Sequence, residues 1–86
     1  MYKTYLTKDA DKDLSKLTPS IRDRVLDKLR QLKFPIPPRS NIRKIADVPG
    51  YFRLRVGKIR VIFEVDNLKK EIWIRKIAYR KERVKY

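Results

Sequence analysis

The sequence predicts a small α+β domain, with an N-terminal strand and a two-helix hairpin packed on an antiparallel β-sheet. Three observations lead there. Apolar residues recur at helical spacing up to Leu32, they alternate with basic residues after Tyr51, and a proline-rich stretch separates the two patterns. A chain of 86 residues suits one domain spanning 1–86.

Met1 to Leu6 is rich in Tyr and Thr and reads as a short strand. Thr7 or Asp9 can cap the helix that follows, in which Ala10, Leu14 and Leu17 share a face. Thr18-Pro19 marks a second helix start: a capping hydroxyl, then proline at the first helical position. Ile21, Val25, Leu29 and Leu32 form its apolar stripe, while Arg22, Asp23, Asp27, Lys28 and Arg30 face outward. Both stripes read as core. Pro35, Pro37 and Pro38 end this helix and open an irregular connection reaching about Gly50.

The rest reads as a three-stranded meander. Tyr51 to Val56 and Ile59 to Val65 are two strands joined by Gly57-Lys58, the signature of a tight II′ hairpin. Asp66 to Lys70 is a second turn, and Glu71 to Ile77 the third strand. The two-residue loop sets the register: Val56 opposes Ile59, Arg55 opposes Arg60, Leu54 opposes Val61, Arg53 opposes Ile62, and Phe52 opposes Phe63. Side chains alternate between faces. Phe52, Leu54, Val56, Ile59, Val61 and Phe63 therefore share the face that lies on the helices. Arg53, Arg55, Arg60, Ile62 and Glu64 share the other. Like charges directly opposite on a sheet repel, and local conflicts of this kind concentrate at functional sites. A solvated strand face is the plainer alternative. An anion site for phosphate is the sharper one, because guanidinium grips phosphate with a bidentate fork.

Composition points the same way. Lys+Arg number 24 against 10 Asp+Glu, a net charge of +14, which disfavours the compact state by self-repulsion and suits a polyanionic partner. Nucleic acid is the first candidate and an acidic protein the second. Cysteine and histidine are both absent. That excludes disulfides, thiol nucleophiles, Ser-His-Asp and Cys-His arrangements and the usual zinc and iron ligand sets. No metal and no small-molecule cofactor is expected. No apolar run is long enough to span a membrane and the N-terminus is no signal peptide, so the expected location is cytoplasmic.

The chain resembles the RelE/ParE superfamily of toxins from prokaryotic toxin–antitoxin systems, and archaeal RelE members most of all. The residues that carry the resemblance are Tyr51-Phe52-Arg53-Leu54-Arg55-Val56-Gly57, Ile59-Arg60-Val61-Ile62-Phe63, Ile77-Ala78-Tyr79-Arg80-Lys81-Glu82-Arg83 and the closing Tyr86. The likeness is strong over residues 51–86 and loose in the helices. It implies the RelE-like microbial RNase fold. It also implies a metal-independent endoribonuclease that enters the ribosomal A site, cuts mRNA by attack of a 2′-hydroxyl, and is neutralised by a RelB-like antitoxin.

Carried over, the family's cationic pair falls on Arg53 and Arg55, the next strand's arginine on Arg60, the C-terminal arginine on Arg80 and the terminal tyrosine on Tyr86. Lys58, Tyr79, Lys81 and Arg83 would touch RNA beside them. RelE often has lysines at the first two positions, and arginine there favours charge stabilisation over proton acceptance. Many members carry histidine near Arg80, where this chain has Tyr79. Tyr86 would orient the 2′-hydroxyl, stack on a base or accept a proton. Glu82 is a spare acceptor or an ion-pair partner. ParE-like relatives share the fold, poison DNA gyrase and lack the full arginine set. A plain RNA- or DNA-binding module is the third alternative.

Overall fold

The computed structural model describes residues 1–80. Its elements follow the order β1 (Lys3–Leu6), α1 (Lys8–Ser15), α2 (Pro19–Arg30), β2 (Ile42–Lys44), β3 (Tyr51–Val56), β4 (Ile59–Asp66) and β5 (Glu71–Tyr79). The strands form one sheet in the order β1-β5-β4-β3-β2. All neighbours are antiparallel except β1 and β5, which run parallel, so the sheet is mixed. The helical hairpin between β1 and the rest of the sheet explains the parallel pair, since a parallel neighbour needs a long crossover.

Both helices begin where the sequence says, but only one by side-chain capping. Thr7 Oγ1 accepts the Ala10 amide at 3.1 Å, and Asp9 and Asp11 complement the helix dipole in the first turn of α1. Thr18 occupies the N-cap of α2, yet its hydroxyl makes no capping bond. Proline at the first position and the Arg22 amide donating to the Thr18 carbonyl at 2.8 Å set that start instead. α2 stops at Arg30, so Leu32 lies past its end, half-buried against the core.

The connector is not wholly irregular. Ile42–Lys44 is an edge strand, with Ile42 opposite Leu54, Arg43 opposite Arg53 and Lys44 opposite Phe52. Three residues are too few to show alternation, and pairing with β3 selects them. β5 also runs two residues further than the sequence suggests, to Tyr79. A register shift at Ile62/Phe63 changes the spacing of its core residues, so Ile72 and Ile74 are followed by Ile77. Beyond Leu6, where β1 no longer covers β5, the Asp13 carboxylate of α1 accepts the Ile77 amide at 3.0 Å. A side chain thereby satisfies a strand donor left without a backbone partner.

One core lies between the helices and the sheet. Ala10, Leu14, Leu17, Val25 and Leu29 meet Leu54, Val56, Ile59, Val61, Phe63, Ile72, Ile74 and Ile77. Phe63 is the largest fully buried side chain. An aromatic chain runs outward from it: Phe63 stacks on Phe52 at 5.6 Å, Phe52 meets Phe34 at 6.2 Å edge-on, and Phe34 meets Tyr2 at 5.3 Å.

Candidate nucleic-acid interface

The β3–β4 hairpin has the register that its two-residue loop dictates, from Val56 opposite Ile59 to Phe52 opposite Phe63. Positive φ falls on the first loop residue only (Gly57, 57°), as a II′ turn requires. The sheet face opposite the helices therefore carries Arg53 and Arg55 from β3 and Arg60 from β4. Arg80, the residue after β5, is drawn to the same end because its amide donates to the Lys58 carbonyl at 2.8 Å. Arg43, opposite Arg53 on the edge strand, adds a fifth arginine. It was hidden in sequence because the strand that positions it was hidden. Its guanidinium donates to the Ser40 and Ile42 carbonyls, both at 3.0 Å.

The floor of this face is apolar. Ile62, the register partner of Arg53, is completely buried, and Ala78, the partner of Arg60, is buried too. Long arginine stems lie along apolar surface while their charged heads stay wet. Here the Nε atoms of Arg53 and Arg60 are buried and have no hydrogen-bond partner among the described residues. Buried donors are normally satisfied, and an unpaired one marks a place where a ligand can complete the set.

No carboxylate lies within ion-pair distance of these five arginines among the described residues. The ion pairs among the described residues are Arg22–Asp23, Arg30–Asp27, Arg75–Glu64 and Lys76–Asp13. Glu64, on the same face, is taken by Arg75 at 3.4 Å. The consequence is mutual repulsion. Arg80, then Arg53, and more weakly Arg60 and Arg43 hold the Arg55 guanidinium below its ordinary pKa. An arginine remains a cation under such a shift, so the shift registers crowding of positive charge, not a switch. Replacing the exposed Arg55 with Gln is expected to raise Tm at low ionic strength and to weaken RNA binding. The Tm gain should shrink as salt screens the cluster, which paired melting curves at low and high salt would check.

Lys58, Arg60, Tyr79 and Arg80 line one depression of about 660 Å³ at this end of the sheet. Tyr79 opposes Ile59 and so belongs to the helix-side row, but it is 38% exposed and reaches the depression from the rim. Lys81, Glu82, Arg83 and Tyr86 lie outside the described residues. A group of His, Cys, Asp or Glu able to hold a metal ion does not occur among the described residues. No described helix is long and apolar enough to cross a membrane.

A family model for the ParE toxin of type II toxin–antitoxin systems, parDE, matches residues 5–84. No curated protein matches the sequence. Solved structures do. The archaeal RelE–RelB complex from Pyrococcus horikoshii shares 27% identity over 95% of this chain and 98% of that one, with a TM-score of 0.78. The RelB–RelE complex from Methanococcus jannaschii shares 26% over 88% of this chain and 89% of that one, with a TM-score of 0.70. The isolated E. coli RelE toxin has the same fold, with a TM-score of 0.79 at 17% identity over 96% of this chain and 88% of that one. The chain belongs to the ParE toxin family of type II toxin–antitoxin systems, within the wider RelE/ParE superfamily.

Proposed function

We propose that this chain is a ribosome-dependent endoribonuclease that cleaves mRNA in the A site, stops translation, and is neutralised by a RelB-like antitoxin. One observation carries the reading: guanidinium groups from three strands and the end of a fourth converge on one face without carboxylate partners among the described residues.

Such a face suits phosphoryl chemistry in which RNA supplies its own nucleophile. The 2′-hydroxyl oxygen attacks the adjacent phosphorus, the bond from phosphorus to the 5′-oxygen breaks, and a 2′,3′-cyclic phosphate and a 5′-hydroxyl result. One proton leaves the 2′-hydroxyl and one reaches the departing 5′-oxygen. The protein must splay the two nucleotides and stabilise a phosphorane dianion. Arg60 and Arg80 hold the scissile phosphate as its charge grows. Arg53 and Arg55 bind the flanking phosphates, with Arg43 at the edge. Lys58, Lys81 and Arg83 extend the backbone contacts, and Tyr79 offers a ring to an unstacked base. Tyr86 orients the 2′-hydroxyl. With arginines at 53 and 55, the cluster works as a charge clamp more than as an acid–base pair.

A cationic toxin suits an acidic wrapping partner, and the archaeal relatives above were solved as complexes of RelE with RelB. The proposed place of action is the cytoplasm. The second reading is a gyrase poison without nuclease activity, favoured by the parDE family model. Induction in cells separates the two. Amino-acid incorporation is expected to fall first, with plasmid supercoiling intact. Loss of supercoiling while translation continues would replace the nuclease reading with the gyrase one.

A further inference from the structure

The arginine face does not stop at the sheet edge. β2 begins at Ile42, and just before it the Asn41 carbonyl accepts the Arg55 amide at 3.1 Å. Arg55 therefore stands at a corner, on the open face yet also lining a cleft of about 370 Å³ between the hairpin tip and α2. The α2 side of this cleft is formed by Arg24, Asp27, Lys28 and Gln31. Arg24 lies over the turn: a Cβ on Gly57 would stand 3.4 Å from its Nη2 atom. The one acid lining it among the described residues is already engaged, since Asp27 accepts from Arg30 at 3.1 Å. Neither Arg24 nor Lys28 has an ion-pair partner among the described residues.

We propose that the cleft formed by Arg24, Lys28 and Arg55 binds two successive phosphates of the same single-stranded RNA that crosses the arginine face, leading the strand around the sheet edge onto α2. The site rests on the nuclease reading and deepens it. Arg55 is the shared residue, gripping the phosphate that passes the corner. Arg24 and Lys28, one helical turn apart, take the next one. Gln31 and Asn41 supply neutral amides beside them. The role is positioning, because no cleft residue on α2 reaches the depression lined by Arg60 and Arg80.

The probe is a 2′-O-methylated oligouridine of about 12 nucleotides, which cannot be cleaved and is long enough to run past one site. Its binding to the full chain is measured by fluorescence anisotropy across roughly 0.05–0.2 M salt. Each single-strand phosphate contact adds about 0.7 to the slope of log K against log salt. The double variant Arg24→Ala/Lys28→Ala is expected to bind several-fold more weakly and to lose about 0.7 of that slope, the share of the one phosphate the pair holds. A charge-matched variant, Lys12→Ala/Lys16→Ala on and beside α1, should keep the wild-type slope. All four side chains are exposed, so folding is not at stake. Equal slopes for wild type and the cleft variant would overturn the proposal, as would equal losses in both variants. So would an acidic poly-glutamate peptide that depends on Arg24 and Lys28 more than the RNA does, which would assign the cleft to a protein segment. A wild type that binds no RNA would overturn it too. A-site cleavage, read separately, shows whether the nuclease reading falls with it.

Discussion

The Arg60→Ala/Arg80→Ala double variant is expected to cut A-site mRNA at least about 10³-fold more slowly than wild type, since one preorganised charge-stabilising donor alone contributes roughly 10²–10³ in rate. The two losses should not multiply fully, because both groups act on one phosphate. Both side chains line the same depression, and Arg60 approaches from a strand whose register is fixed on either side. Neither has a carboxylate partner to strand among the described residues. The variant should therefore fold as well as wild type and gain from relieved repulsion. Single-turnover cleavage on programmed ribosomes beside a melting curve checks both halves. Equal cutting would remove Arg60 and Arg80 from the chemistry. Slow cutting together with a collapsed melting curve would show a structural role instead.

Phe63→Ala should be the most destabilising single change in the core, at about 3–5 kcal/mol. Phe63 is 1% exposed, is stacked on Phe52, and anchors the aromatic chain through Phe34 to Tyr2. Total stability for a domain of this kind is about 5–15 kcal/mol, so the loss removes a large share of it. At roughly 4–8 °C per kcal/mol for a small domain, Tm should fall by about 12–40 °C. Calorimetry of Phe63→Ala against Leu68→Ala, a change at a 97% exposed leucine, gives the contrast. A Phe63 loss below about 1 kcal/mol would mean that the site collapses around the cavity and that the core is looser than its burial implies.

Much of this is legible in the sequence because short-range rules decide it. Gly57-Lys58 leaves one register for the hairpin, and that register alone gathers Arg53, Arg55 and Arg60. Proline at 19 and the apolar stripe through Val25 and Leu29 define α2 without tertiary help. What stays hidden depends on distant pairing. Ile42–Lys44 becomes a strand only against β3, so Arg43 has no signal of its own. The parallel docking of β1 on β5 brings together residues far apart in sequence, as Tyr5 opposite Trp73 shows, the two rings stacked at 4.9 Å. The silent hydroxyl of Thr18 shows that a capping residue type marks a helix start more reliably than it makes the capping bond. Arg80 reaches the cluster through a backbone bond to Lys58 that no local pattern announces. Only family resemblance points to it in the sequence, as it does to Tyr86, which lies outside the described residues.

The most direct test of the arginine face as a nuclease site is an end-group map of mRNA on purified programmed ribosomes incubated with the full chain. One cut within the A-site codon is expected, leaving a 2′,3′-cyclic phosphate upstream and a 5′-hydroxyl downstream, and lost in the Arg60→Ala/Arg80→Ala variant. Intact mRNA under these conditions, with purified DNA gyrase inhibited by the same protein preparation, would contradict it.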